Sequence, residues 1–252
     1  MAFYGDIFLT PDHQGLEPES LTAGEQSIAE QLALDLLRSA ADSSNQKDAG
    51  EARRELAALT ADPDDAQRIV KATAVRAAAL LDRIPWFGRG TLAAASVVNR
   101  TLAQVTRYLD DPAVHDYAIE QVNKHLTTET RVVIGHSLGS VVAYDTLRAR
   151  PSDQPVPLLV TLGSPLGLSA ISQRIQPQPP AFPAAVRRWV NIAAPDDVVA
   201  ARRELHAVFD RDRPHGAVFE GTWIVDNGSI PHQINFYLTK KSYGAAVADA
   251  LT

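Results

Sequence analysis

The second half of the chain alternates between short apolar segments and amphipathic helical stretches, and this alternation restricts the fold more than any other feature. The apolar segments are rich in valine, leucine and isoleucine, as in buried strands. Because strands that alternate with helices are joined by crossover connections, the pattern predicts a mostly parallel sheet with helices on both faces, an α/β fold. The predicted strands are 131–134, 156–162, 188–193 and 218–225, and the predicted helices are 137–150 and 235–251.

The first half of the chain has a different pattern, because most of residues 20–126 have helical periodicity. Thr22 with Glu25 three residues later predicts a capping box that opens a helix. Before it, residues 3–9 are short, aromatic and β-branched, which predicts a buried strand. We therefore expect a single domain, 1–252, with a mainly helical insertion ahead of strand 131–134. Further helices are predicted over 51–60, 66–81, 92–109 and 114–126, with loops over 42–50 and 61–65 and an aromatic turn over 84–90.

Composition restricts the chemistry. The chain has no cysteine, which excludes disulfides, a thiolate nucleophile and cysteine-ligated metals. Its 24 lysines and arginines against 30 acidic residues give a net charge of −6, so nucleic acid is not an expected partner. No apolar run approaches the roughly 20 residues that cross a bilayer, and no signal peptide is visible, so a cytoplasmic protein without a transmembrane segment is expected. No phosphate-binding loop or metal motif occurs, and neither a cofactor nor a metal is expected.

One motif carries chemistry: Gly135-His136-Ser137-Leu138-Gly139 has the form G-x-S-x-G. It follows a strand pattern and opens a helical pattern, the setting in which this motif forms a nucleophile elbow. A sharp turn there would expose the Ser137 hydroxyl, and glycines on both sides would leave room for the backbone. The Leu138 amide, at a helix N-terminus, would face a developing oxyanion. An ordinary strand–helix turn explains the serine but not both glycines.

A serine nucleophile needs a histidine to take its proton and an acid to orient that histidine. In folds with this motif the acid and then the histidine follow the serine along the chain. His232 is the candidate base, because it alone lies in a turn after a strand and before the final helix. The histidines set aside by position or setting are His13, His115, His125, His136, His206 and His215.

The acid is expected where strand 188–193 runs into a loop with two adjacent carboxylates, Asp196 and Asp197. In open α/β sheets, functional groups gather at the carboxyl ends of the strands. One of the two would orient the imidazole and the other would cap the following helix, and spacing alone does not separate these roles.

Residues 131–252 resemble the α/β-hydrolase superfamily, in particular bacterial lipase-like and esterase-like serine hydrolases. The resemblance is carried by GHSLGSVVAYD, LVTLGSPLG, WVNIAAPDDVVA and PHQINFYL, about half of the chain. Family usage of a W-x-N strand followed by a D-x-V acid loop favours Asp197 and leaves Asp196 as the alternative. The family's wall beside the nucleophile is similar to the turn at Ser164 and Pro165, which would shape the pocket.

The N-terminus departs from this family. Its members usually start with a strand that ends in a His-Gly loop and supplies a second oxyanion donor, whereas only Met1 and Ala2 precede the segment 3–9 here. Three explanations stay open: the sequence begins late relative to the natural protein, the loop at Gly5 supplies the donor, or the activity has been lost.

Two kinds of function follow from these patterns. The first is a serine hydrolase that cleaves an ester or thioester of a small acyl substrate through an acyl-enzyme on Ser137, with His232 as base and Asp197 as orienting acid. Acyl transfer to an acceptor other than water, or amide cleavage, would use the same groups. The second is a catalytically silent binding protein on the same fold. Substrate identity and oligomeric state are not encoded in any motif.

Overall fold

A parallel β-sheet organises the part of the chain that the computed structural model describes, namely residues 2, 4–8, 22–42, 46–60, 104–200, 204–228 and 230–252. Each neighbouring pair of its strands is parallel, and their spatial order is the order along the chain. The parallel sheet predicted from the strand–helix alternation is thereby confirmed. The strands are β1 (Val132–His136), β2 (Val156–Leu162), β3 (Val186–Ala193) and β4 (Val218–Ile224).

Helices flank this sheet, as predicted. Within 20–126, most of the described residues are helical, including 104–110. The helices with defined bounds are α1 (Ala23–Ala41), α2 (Gln46–Thr60), α3 (Pro112–Asn123), α4 (Leu138–Ala149), α5 (Ser169–Ser172), α6 (His206–Phe209), α7 (Ile234–Leu238) and α8 (Lys241–Leu251). Short 3-10 helices span Gly5–Phe8, Pro165–Gly167 and Val198–Ala200. None of the helices in the described ranges combines the length and the apolar character needed to cross a bilayer.

The sheet separates two apolar cores, because successive side chains of a strand point to opposite faces. On one face Leu159 and Trp189 pack in a large cluster with residues of α1 and α4. On the other face Leu158 and Val190 pack in a smaller cluster that includes Ala246 of α8. The central strands β2 and β3 are therefore buried on both sides, as their nearly continuous apolar sequences require.

The strand ends are aligned at one edge of the sheet. His136 at the end of β1 pairs in register with Leu162 of β2, and Leu162 pairs with Ile192 of β3. The Ser137 amide continues this ladder by donating to the Leu162 carbonyl at 3.1 Å. The loops that follow all four strands consequently start close together, and these loops carry the predicted site residues.

Three sequence predictions are wrong at the level of elements, and two of them concern the first half of the chain. The described residues of the range 3–9 form no strand, because Gly5–Phe8 form a 3-10 helix. Periodicity does not distinguish a strand from a helix in so short an apolar run. Here the Tyr117 hydroxyl of α3 donates to Asp6 at 2.7 Å, which attaches the segment to α3. The loop predicted over 42–50 is also too long, because α2 already begins at Gln46, where glutamine, lysine and alanine favour helix.

The C-terminal helical segment is interrupted, whereas one continuous helix was predicted. Two helices, α7 and α8, replace the single helix predicted over 235–251, with a break at Thr239 and Lys240. Lys240 is extended, and its ammonium group donates to the Asp226 carbonyl. At the other end of the chain, the capping box of α1 is confirmed, since Thr22 and Glu25 exchange both hydrogen bonds. The predictions for 61–65, 66–81 and 84–90, and residues 92–103 of the predicted helix 92–109, lie outside the described residues.

Candidate active site

Ser137 occupies a one-residue turn between β1 and α4. Its backbone has φ 52° and ψ −131°, a conformation that costs free energy for any residue with a side chain. The turn is held on both sides, by the Ser137 amide on the Leu162 carbonyl and by the Ser140 amide on the Ser137 carbonyl at 2.9 Å. The serine hydroxyl is thereby fixed at the carboxyl edge of the sheet.

Gly135 shows why this turn needs a glycine before the serine. A Cβ atom at position 135 would lie 2.5 Å from the Gly139 carbonyl oxygen and 2.5 Å from the Ser140 Cα. Both are backbone atoms, so the clash could be relieved only by moving the start of α4. Gly139 is less restricted, since its nearest contact would be the Tyr4 hydroxyl at 3.4 Å.

His232 lies beside the serine. Its Nε2 is 3.0 Å from the Ser137 hydroxyl oxygen, and its Nδ1 is 2.9 Å and 3.0 Å from the two carboxylate oxygens of Asp197. The turn that carries the histidine is fixed by Asn227, whose side-chain amide donates to the Pro231 carbonyl at 2.8 Å. The sheet edge thus brings together three side chains that are up to 95 residues apart in the chain.

Asp197, and not Asp196, is the carboxylate that meets the imidazole. Its side chain is fully buried, and it also accepts the Val199 amide at 3.1 Å. Burial alone would raise the pKa of Asp197, but the charge and hydrogen bond of His232, with a hydrogen bond from Tyr237, hold this pKa below its usual value. The Asp197 side chain is therefore an ionised carboxylate at neutral pH.

Tyr237 is a residue of this site that the sequence reading missed. Its hydroxyl donates to Asp197 Oδ2 at 2.6 Å and accepts the Ala194 amide at 3.0 Å. Burial and the neighbouring Asp197 charge raise the pKa of Tyr237, so the hydroxyl stays protonated and can donate. The signal in the sequence was the stretch PHQINFYL, but nothing in that stretch shows which of its aromatic residues turns inward.

Gly163, which follows β2, leaves the space in which these groups meet. Its φ is +52°, and a Cβ there would lie 2.7 Å from Asp197 Oδ2 and 3.2 Å from His232 Nδ1. Next to it, Ser164 Oγ accepts the Leu166 amide at 3.3 Å and lies 2.7 Å from the Ser140 hydroxyl oxygen. Ser164 therefore supports the turn from the side, and neither Gly163 nor Ser140 was singled out for this from the sequence.

His136 is also in contact with the site, although the sequence reading set it aside. Its Nε2 donates to the His232 carbonyl at 2.8 Å, and the two imidazole rings lie 4.8 Å apart between centroids. Burial, together with the nearby His232, lowers the pKa of His136 to about 4. A neutral ring thus packs beside His232 and fixes the backbone of that residue.

The predicted oxyanion donors differ in what the structure shows of them. Leu138 is the first residue of α4, so its amide has no partner within the helix and lies next to Ser137. Gly5 begins the 3-10 helix Gly5–Phe8 and adjoins Tyr4, whose hydroxyl approaches the elbow at Gly139. The role of Gly5 as second donor stays a prediction.

The described residues contain no group of three histidine or acidic side chains that could hold a metal ion. Comparison with known proteins does not add a family: no family model matches the chain, and no match was found among curated proteins or solved structures. The fold and the geometry at Ser137 are therefore the features of this chain that bear on its function.

Proposed function

We propose that the chain is a serine hydrolase that cleaves an ester or thioester of a small acyl substrate. The observation that carries this proposal is the continuous hydrogen-bonded line from Ser137 through His232 to the buried Asp197, with contacts of 2.9–3.0 Å. A fold of this type hosts many functions, so function is inferred from the side chains of the site and not from the fold. This arrangement supplies a nucleophile, a base and an orienting acid, the three groups that acyl transfer requires.

In the first half of the reaction, Ser137 Oγ forms a bond to the substrate carbonyl carbon while its proton passes to His232 Nε2. The tetrahedral intermediate collapses, the bond to the alcohol or thiol breaks, and the leaving group takes the proton from His232. Water then repeats the sequence on the acyl-enzyme: His232 removes its proton, the oxygen bonds to the acyl carbon, and Ser137 regains a proton as the acid leaves.

Asp197 stabilises the charged imidazole that forms at each proton transfer. It remains ionised because its pKa is depressed, and its contact with Nδ1 fixes the tautomer whose Nε2 faces the serine. The strained backbone of Ser137 also supports the proposal, since backbone strain is often retained at functional sites, where it orients a reacting group.

The oxyanion would be held by the Leu138 amide and, in this proposal, by Gly5. Removing one such donor typically lowers kcat by about 10² to 10³. The preference for an ester or thioester derives from the resemblance to lipase-like and esterase-like α/β-hydrolases. Transfer of the acyl group to another acceptor would use the same residues.

The test is covalent labelling with a fluorophosphonate, which reacts with activated serine hydroxyls. We expect stoichiometric labelling of the wild type, complete loss in Ser137→Ala and unchanged labelling in Ser172→Ala, a matched change on α5. Hydrolysis of p-nitrophenyl acetate and of an acetyl thioester, measured in the same variants, would show which bond is cleaved. Folded protein that takes up no label would contradict the proposal and favour the silent binding protein.

A further inference from the structure

Exposed apolar side chains are concentrated on the segment that carries His232. Eight large apolar side chains are exposed among the residues that the structure describes, and four of them, each 37–40% exposed, are Ile230, Ile234, Phe236 and Leu238. The other four are scattered over β1, β4 and α8. Residues 227–239, which we call the base loop, also contain no lysine, arginine, aspartate or glutamate, although 21% of the chain is charged. The surface next to the candidate base is therefore uncharged and apolar.

The backbone of the base loop places two of these side chains on either side of His232. The Gln233 amide donates to the Ile230 carbonyl at 3.1 Å, so residues 230–233 form a tight turn that contains the histidine. Ile230 and Ile234 are each two residues from His232, so their Cα atoms lie within about 7.6 Å of the His232 Cα. The candidate base therefore lies between two exposed isoleucines.

Helix α7 continues this surface. Its Tyr237 turns inward to Asp197, while Phe236 and Leu238 stay exposed. At about two-fifths exposure, the four apolar side chains of the base loop present on the order of 300 Å² in total. A stable protein interface buries about 800 Å² of each partner, so this surface is too small to hold a second copy of the chain. Its area suits one part of a small molecule.

The proposed reaction determines which part of a substrate meets these side chains. The leaving oxygen or sulfur takes its proton from His232 Nε2, and this transfer brings the two atoms within about 3 Å of each other. The group attached to the leaving atom consequently starts beside the turn 230–233. In the tetrahedral intermediate the acyl carbon occupies a different corner from the leaving atom, so the acyl chain points away from His232.

We propose that the four exposed apolar side chains of the base loop bind an alkyl chain on the leaving-group side of the substrate. This inference rests on the hydrolase function proposed above and adds the substrate class, an ester or thioester of a short acid with an alkyl alcohol or thiol. Each methylene that leaves water for an apolar surface adds favourable free energy. Because only one half of the substrate gains this contact, kcat/KM should respond to the length of that half.

Three esters separate the two halves of the substrate. Hexyl acetate and ethyl hexanoate are isomers that lengthen ethyl acetate equally, the first on the alcohol side and the second on the acyl side. Acid release is followed by titration at constant pH, at ester concentrations below aggregation. We expect kcat/KM for hexyl acetate to exceed that for ethyl acetate at least about tenfold, and ethyl hexanoate to gain less than about threefold. The corresponding thioesters take their place if the protein cleaves only thioesters.

The opposite patterns are informative as well. Equal gains for the two isomers would overturn the inference, because they would indicate a general affinity for apolar molecules, as in binding to a lipid surface. A larger gain for ethyl hexanoate, or no gain for hexyl acetate, would also overturn it. In these cases the fluorophosphonate would still label Ser137, so the hydrolase function itself would stand. Folded protein that takes up no label and cleaves no ester would overturn both proposals.

Two variants test the side chains themselves. Ile230→Ser/Ile234→Ser removes apolar surface on both sides of the candidate base and should lower the ratio of kcat/KM for hexyl acetate to that for ethyl acetate at least about fivefold. Leu251→Ser is the control and should leave this ratio unchanged, because Leu251 is 62% exposed at the end of α8, near the start of β1 and the opposite edge of the sheet. Should the double variant fail to fold, Phe236→Ser decides the question. An unchanged ratio in the folded variant contradicts the assignment.

Discussion

The buried hydroxyl of Tyr237 holds Asp197, the carboxylate that contacts the candidate base His232. Tyr237 donates to Asp197 at 2.6 Å, and both groups are buried. We expect Tyr237→Phe to lower the free energy of unfolding by about 1–3 kcal/mol, because a charged oxygen loses a hydrogen bond where water cannot replace it. Urea unfolding measures this loss. Tyr243→Phe, a change on α8, serves as the control, and a loss of equal size in both variants would contradict the role given to Tyr237.

The same Tyr237→Phe variant should react more slowly with the fluorophosphonate, since Asp197 is less well oriented and its pKa rises. We expect a decrease of about tenfold in the labelling rate, equivalent to about 1.4 kcal/mol in the barrier. A purely structural contribution of Tyr237 would change stability and leave the labelling rate of the folded protein as in wild type.

His136 gives stability a dependence on pH. Its pKa is about 4 in the folded protein and 6.5 as a free side chain, so between these values the unfolded chain binds the additional proton. Stability from this group is complete above pH 6.5 and is lost as the pH falls towards 4. Between pH 7 and pH 4.5 we expect wild type to lose about 2 kcal/mol more than His136→Gln in urea unfolding. Parallel losses in the two proteins would contradict the neutral buried state of His136.

At the scale of elements, the junction of β1 and α4 depends on the missing side chain at Gly135. A Cβ there would lie 2.5 Å from two backbone atoms, so we expect Gly135→Ala to lower the free energy of unfolding by about 3 kcal/mol or more and to abolish labelling. Gly244→Ala, at a helix position with open space around it, should instead raise stability by about 0.5–1 kcal/mol. Thermal and urea unfolding measure both, and a tolerated Gly135→Ala would show that the elbow is not tightly packed.

The same scale shows how far local sequence predicts structure. Strands β1 to β4 were predicted within a few residues, because each is a short run of β-branched and aromatic residues bounded by polar or turn residues. Residues 3–9 failed, because seven residues with one glycine satisfy either state and the outcome depends on contacts such as Asp6 with Tyr117. The break between α7 and α8 was missed because no proline or glycine marks it in the sequence.

At the scale of the whole molecule, a buried carboxylate of α1 connects this helix to α5 in the second half of the chain. Asp35 of α1 is 7% exposed and accepts the Ser169 hydroxyl at 2.7 Å and the Ala170 amide at 2.8 Å. It therefore caps the short α5 from another part of the chain. Asp35→Ala should lower the free energy of unfolding by about 1–3 kcal/mol, because both donors lose their acceptor.

The matched control for this change is Asp42→Ala, on the exposed C-terminal cap of the same helix. A carboxylate there faces the negative end of the helix dipole, so its removal should change stability by less than about 0.5 kcal/mol. Urea unfolding compares the two. If Asp35→Ala costs no more than Asp42→Ala, the link between α1 and α5 does not contribute to docking of the helical segment.

Local sequence predicted the parallel sheet, the flanking helices and the turn at Ser137, because these depend on periodicity and on glycines at fixed spacing within a few residues. Position after predicted strands also singled out His232 and the pair Asp196 and Asp197, and the resemblance to the hydrolase family favoured Asp197 of the two. The folded arrangement was needed to show that Asp197 and not Asp196 meets the imidazole, and that Tyr237 and Gly163 lie against both groups. Those facts depend on which side chains converge from separate loops at one sheet edge, and no local pattern encodes the direction of each loop.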